Sequence, residues 1–386
     1  MIDPRTAQAA ELMTTFVERT GVAEGDATRR YLWTDAFAVT NLLGLERATG
    51  DARWRELALR LIDHVHHVLG RHRPDDRRTG WISGLSEEEG ERHPTAGGLR
   101  IGKRLPERPP GTPYDERAEW DRDGQYFHYL TKWMHALDQT TRATGQVLFH
   151  QWARELVRAA HRGFVVVGSS GRKRMCWKAS IDLSRPLVVS MGQHDPLDGW
   201  VTCLQLAATL PDAGPAIADV TADFGAMVHP NGLATSDPLG LGGLLSDAWR
   251  LHQLLAQGAP PRAAEVRDAL LGAALTGLNV YLSQPDLRQP ASRRLAFREL
   301  GLAIGLAAVP MLERDAASLG ERARAALDGL LRALPVRDTI ESFWLAPEHR
   351  ATEIWREHLD INEVMLATCL APEGFLLLRP LASGSS

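Results

Sequence analysis

The chain has 386 residues, 44% hydrophobic and 24% charged, with a formal net charge of −4, which supports a large core and excludes the basic stripe of a nucleic-acid partner. Its three cysteines, Cys176, Cys203 and Cys369, have neither the number nor the spacing of a disulfide framework or a CxxC metal site, and so point to a reducing compartment. The opening MIDPRTAQAAELMTTF has no apolar signal stretch, and no apolar run approaches the ~18 residues of a membrane span; the expectation is a cytoplasmic protein without a membrane partner.

The helical period dominates from the start. A first helix is expected over about 4–20. In 31–49, Leu32, Phe37, Val39, Leu42, Leu43 and Leu45 recur at three- and four-residue spacing, and Gly50-Asp51 stops that helix and starts the next, 52–70. This is an αα-hairpin with a very short turn. Further hairpins follow: 124–144 with 146–163, 197–210 with 215–228, 239–257 with 262–283, and 292–311 with 317–334. A last helix, about 353–371, has no partner after it. Pairing it with 4–20 gives six hairpins and hides every apolar flank. The predicted fold is all-α, a single (α/α)6-barrel domain over 1–386, with 383–386 expected as a disordered tail. The segments 163–170 and 174–181 are spaced for a small β-hairpin at one mouth.

Turns within hairpins are short. Connections between them are long: 71–122, 164–195, 229–238, 284–291 and 335–352. Each follows a helix returning to the same end, so one mouth is elaborated, and long loops are usually functional. The inner helices start at that mouth, which their dipoles make favourable for anions. Candidate site residues are those at or just before these starts. They are Trp33 and Asp35; Trp120, Asp121, Asp123, Gln125, Tyr126 and His128; His194, Asp195, Asp198 and Trp200; Arg298 and Glu299; and His358, Asn362 and Glu363. Trp177 joins them from the 164–195 loop.

Two segments are densest. In EWDRDGQYFHYLTKW (119–133), Asp121 and Asp123 suit helix N-caps as well as a general acid–base pair. His128 and Lys132 share a helical face, which is costly when buried unless they pair or meet a ligand. In MGQHDPLDGWVT (191–202), Pro196 suits the first helical turn and Asp195 the cap before it. The functional alternative sets His194 and Asp195 or Asp198 opposite Asp121 or Asp123, the two-carboxylate arrangement that glycoside hydrolysis uses.

Trp33, Trp81, Trp120, Trp177, Trp200 and Trp344 fall in or beside long loops, where flat rings suit a pyranose or another apolar ligand. Trp54, Trp133, Trp152, Trp249 and Trp355 read as core. The run GRKRMCWK (171–178) reads as solvated surface or as an anion-recognising lid. DHVHH (63–67) has no HExxH pattern, so no metal is expected, and no cofactor motif appears.

The hairpin rhythm, clearest in LLGLERATGDARWRELALRLIDHV (42–65), together with YLWTDAF (31–37), resembles the six-hairpin glycosidase superfamily over nearly the whole chain. The resemblance is one of architecture and carries over no catalytic motif. It implies a glycoside hydrolase first. The fold is shared with sugar 2-epimerases, where histidines such as His128, His194 and His358 would shuttle a proton, and with some terpenoid dehydratases or isomerases. A non-catalytic binding protein is the remaining reading. The expected partner is a small-molecule or oligosaccharide substrate, and the sequence carries no signature of oligomeric state.

Overall fold

A computed structural model describes residues 2–24, 29–168, 171–190, 192–212 and 216–382. The expected tail, 383–386, lies outside these. In chain order the elements are α1 (Pro4–Arg19), α2 (Leu32–Thr49), α3 (Arg53–Leu69), α4 (Glu87–Arg92), α5 (Glu116–Asp121), β1 (Gln125–Tyr126), α6 (Phe127–Thr144) and α7 (Val147–Phe164). Four short strands follow: β2 (Val165–Val167), β3 (Lys173–Met175), β4 (Lys178–Ala179) and β5 (Pro186–Val188). Then come α8 (Asp195–Thr209), α9 (Ala218–Met227), α10 (Pro238–Ala256), α11 (Arg262–Ser283), α12 (Ala296–Ala307), α13 (Val309–Glu313), α14 (Glu321–Arg332), α15 (Pro335–Leu345), α16 (Pro347–Arg350), α17 (Glu353–Glu357) and α18 (Leu359–Leu370). None of the helices in the described residues is long and apolar enough to cross a membrane.

The chain divides into two compact units. One takes the chain up to Phe16, Gly44–Asp51 and His229–Leu378; the other takes Val17–Leu43, Ala52–Val228 and the chain after Leu378. In the second unit, α6 is buried at every position from Leu130 to Arg142, and α8 at almost every position from Asp195 to Leu206. A helix buried all round belongs to a core. Its antiparallel partner α7 buries one face only, including Phe149, Ala153, Leu156, Val157, Ala160 and Phe164. Phe127 ties these together, its ring 5.6 Å from Phe164 and 5.3 Å from Phe224. The turn between α6 and α7 is made by Gly145 at φ 72°, a left-handed cap that costs glycine nothing.

The first unit repeats the pattern with α10, α12 and α18 packed together and α11 and α14 burying one face. The glycines of LGLGGLL and LGLAIGLA explain how α10 and α12 approach so closely. A Cβ on Gly242 would lie 2.0 Å from the Gly301 carbonyl oxygen, and one on Gly305 would lie 2.6 Å from the Gly242 Cα.

Several expected boundaries are corrected. Residues 335–352 are not a loop but α15 and α16: Pro335 and Pro347 stand in first turns, where proline's missing N–H is no loss. The expected helix 353–371 breaks at His358 into α17 and α18. The helix expected from 124 begins at Phe127, because Gly124 sits at φ 147° and Gln125–Tyr126 pair with Ala179 and Lys178 as strands. Consequently neither Asp121 nor Asp123 caps α6; Asp121 is the last residue of α5. Asp195 is likewise inside α8, whose cap position is His194. The small hairpin is present as β2 with β3, and a second sheet, β1-β4-β5, accompanies it.

Candidate active site

The sequence-predicted residues fall into three environments. The first is the pinned loop before α6. Asp123 is fully buried and every one of its lone-pair directions is occupied. Its Oδ2 accepts from Arg100 at 2.6 Å and Arg73 at 3.3 Å, and its Oδ1 accepts from the backbone N–H groups of Gly102, Lys103 and Gly124 at 3.0, 3.3 and 3.0 Å. Gln125, also buried, donates to the Gly97 and Ile181 carbonyls and accepts from the Leu99 N–H. Both are struts that hold the 97–105 stretch. Asp121 is exposed. Asp35 accepts from the Tyr31 N–H and pairs with buried Arg30, so it closes the start of α2.

The second environment lies in the first unit and is also mostly structural. Glu299 takes a two-pronged ion pair from Arg294 at 2.8 and 2.6 Å and a third bond from the Trp344 indole at 2.8 Å. Trp344, expected near a loop, is therefore core. Asn362 accepts from the Phe297 N–H and donates to the Trp355 carbonyl. Arg298 pairs with Asp237 at 2.5 Å. His358 is exposed, edge-on to Phe297, and Glu363 is half-buried on α18.

The third environment, where α6 and α8 start, is different. Lys132 donates to both oxygens of Asp198 at 2.8 and 3.0 Å, and Thr131 adds a bond at 3.3 Å. This is the pairing that the shared face of His128 and Lys132 demanded. One turn before Asp198 stands Asp195, 4% exposed, whose Oδ2 has no hydrogen-bond partner among the described residues. Gly192 packs so closely that a Cβ there would lie 2.4 Å from that oxygen. Burial, reinforced by the charge of Asp198 and opposed by Lys132, raises the Asp195 carboxyl from its ordinary 3.8 to about 7. The first turn of a helix favours a carboxylate by at most about 2 kcal/mol. Full desolvation is worth up to roughly 3–5 pKa units, so burial wins.

The His128 Nδ1 lies 3.9 Å from the Asp195 Oδ1, and its side chain is 26% exposed, which opens this corner to solvent. Burial, together with Lys132, lowers the imidazole to about 4 against the pull of Asp198, so His128 is neutral at pH 7. Aromatic rings wall it. Trp177 stacks on it at 6.3 Å, Tyr126 at 5.3 Å, and Trp33 and Tyr129 meet it edge-on at 5.9 and 4.9 Å. Trp200 is buried in α8, His194 is half-buried at its cap, and Trp120 is half-exposed on α5. Tyr129 and Thr131 escaped the sequence reading, although both lie within three residues of His128 on α6. Arg73 and Arg100 escaped it because their partner is about 20–50 residues away.

Among the described residues no group of three or more His, Cys, Asp or Glu is placed to hold a metal ion. In the DHVHH run, His66 is buried and accepts from the Trp133 indole, and His67 pairs with Glu91.

No family model matches this sequence, and no curated protein matches it. Among solved structures the chain is similar to a GH76 alpha-mannanase from Bacteroides thetaiotaomicron, with 9% identity, 96% of each chain covered and a TM-score of 0.55. A cellobiose 2-epimerase from Spirochaeta thermophila gives 12% identity, 95% of this chain and 98% of that chain, at a TM-score of 0.47. The likeness to the mannanase structure shows an all-α, (α/α)6 fold.

Proposed function

We propose that the protein is a carbohydrate-active enzyme whose proton-transfer centre is Asp195, with Asp198 as its ionised partner and His128 beside them. The observation that carries this reading is the pair on α8: one buried carboxyl with an oxygen that has no partner among the described residues, raised to about 7, one turn from a carboxylate locked by Lys132. A carboxyl that burial holds protonated to higher pH, beside one held in an ion pair, is an arrangement that separates acid from partner. In this reading Asp195 protonates the leaving glycosidic oxygen as its bond to the anomeric carbon breaks, Asp198 faces the developing positive charge on the sugar, water adds to that carbon and returns a proton to Asp195, and Trp33, Tyr126 and Trp177 receive the pyranose face.

A second reading rests on His128. An imidazole lowered to about 4, 3.9 Å from a carboxyl raised to about 7, sets a base beside an acid, which suits epimerisation at a carbon next to a carbonyl. The two are separated by product. Sugars and oligosaccharides that raise the melting temperature are incubated with the protein, and the products are resolved chromatographically. New reducing ends that vanish in Asp195→Asn support hydrolysis, and an epimer of unchanged mass that vanishes in His128→Gln supports epimerisation. Neither product with any ligand that binds would overturn both.

A further inference from the structure

The chain has four lysines, and three are accounted for. Lys132 pairs with Asp198, Lys173 with Asp223, and Lys178 with Glu119 and two backbone carbonyls. Lys103 differs. Its ammonium makes no hydrogen bond or ion pair among the described residues and lies instead over two aromatic faces, 5.5 Å from the Tyr31 ring centre and 4.9 Å from that of Trp120. Two separate features hold it there. Its backbone N–H donates to Asp123, and its carbonyl accepts from Arg73. The Tyr31 hydroxyl in turn meets the Tyr129 hydroxyl at 2.7 Å, and Tyr129 packs on His128. Lys103 therefore stands at the outer end of the same aromatic wall that reaches the acid–base pair.

Cation–π contact holds an ammonium in place without neutralising it, since the ring carries no net charge. Burial pushes the Lys103 amine below the ordinary lysine range, with Asp121 and Asp123 acting the other way through space. A half-buried amine with three free donors and two aromatic guides is completed by an oxyanion, through charge-assisted hydrogen bonds. Trp120 is 50% exposed, a flat face presented to solvent next to that charge.

We propose that Lys103, held between Tyr31 and Trp120, binds an oxyanion carried by the substrate, a carboxylate or a phosphate, so that the site takes acidic rather than neutral sugars. This rests on the carbohydrate reading above and names its substrate class. The test is calorimetric titration of the wild-type protein, Lys103→Met and Lys103→Arg with glucose, glucuronate, glucose 6-phosphate and inorganic phosphate at low salt. Wild type is expected to bind one charged hexose at least roughly tenfold tighter than glucose, and which one tells carboxylate from phosphate. Lys103→Met removes that preference, and Lys103→Arg, which keeps the charge, retains most of it. Equal binding of all three hexoses by wild type, or a preference that survives in Lys103→Met, overturns the subsite while leaving the carbohydrate reading intact. Inorganic phosphate bound by wild type and not by Lys103→Met, with no hexose bound, supports the oxyanion site and overturns its placement on a hexose. No binding of any of the four overturns the subsite and leaves the carbohydrate reading to its own test.

Discussion

Asp123 and Asp195 are both buried aspartates in the same unit, and their surroundings could hardly differ more. Asp123 collects two guanidinium groups and three backbone N–H donors. Asp195 keeps one oxygen with no partner among the described residues and sits beside a second negative charge. A fully bonded buried carboxylate holds a loop in place and has no lone pair left for a substrate. An unsatisfied one carries a standing cost that a fold tolerates where the group has a task. Burial is common to both; the bond left unmade and the raised carboxyl are what single out Asp195 as the proposed acid.

The largest effect expected from this contrast is on activity. Asp195→Asn should lower turnover of whichever sugar is processed by roughly 10²–10⁴-fold, the contribution of a positioned general acid. Stability should move the opposite way. Because the folded-state carboxyl titrates near 7 rather than 3.8, the folded protein binds the proton more tightly than the unfolded chain. Asp195 then contributes no penalty below pH 3.8, and its cost grows as pH rises towards 7. At pH 8 the Asn variant should resist urea better than wild type, by on the order of a few kcal/mol; equal or lower stability would break the contrast.

Asp123→Ala should be the reverse case. It leaves Arg100 and three N–H groups without their acceptor, at a cost of roughly 3–5 kcal/mol in urea unfolding. A variant that unfolds like wild type would show that the loop before α6 is held by something else. Lys132→Met sharpens the comparison within α8. It strips the paired cation from Asp198, costing roughly 1–3 kcal/mol. It also removes the charge that holds the Asp195 carboxyl down, so the Asp195 midpoint should move above 7. The smallest effect belongs to Trp120→Ala, a half-exposed ring on a short helix. Stability should stay within about 0.5 kcal/mol of wild type while affinity for the bound sugar falls several-fold.

Much of this was legible in the sequence, for reasons that are local. The glycine-acid step at 50–51, Gly145 after α6 and Pro196 at the head of α8 all mark helix ends by backbone chemistry within a few residues. The same holds for the His128–Lys132 spacing, which signalled a buried charge in need of a partner or a ligand. What stayed hidden depends on partners far along the chain. Asp123 reads as a cap until Arg73 and Arg100 arrive from about 20–50 residues upstream. Glu299 reads as a mouth residue until Trp344 donates to it from 45 residues away. The stretch 335–352 reads as a loop, although Pro335 and Pro347 each begin a new helix.

The most direct test of the central claim is the titration of Asp195 itself, followed by the 13C shift of its carboxyl carbon in labelled protein and assigned by comparison with Asp195→Asn. A midpoint near 7 is the predicted result, showing a carboxyl that keeps its proton well above the ordinary aspartate range. A midpoint at or below about 4, the ordinary aspartate value, would show that Asp195 is a charged residue of the fold and would contradict its assignment as the proton donor.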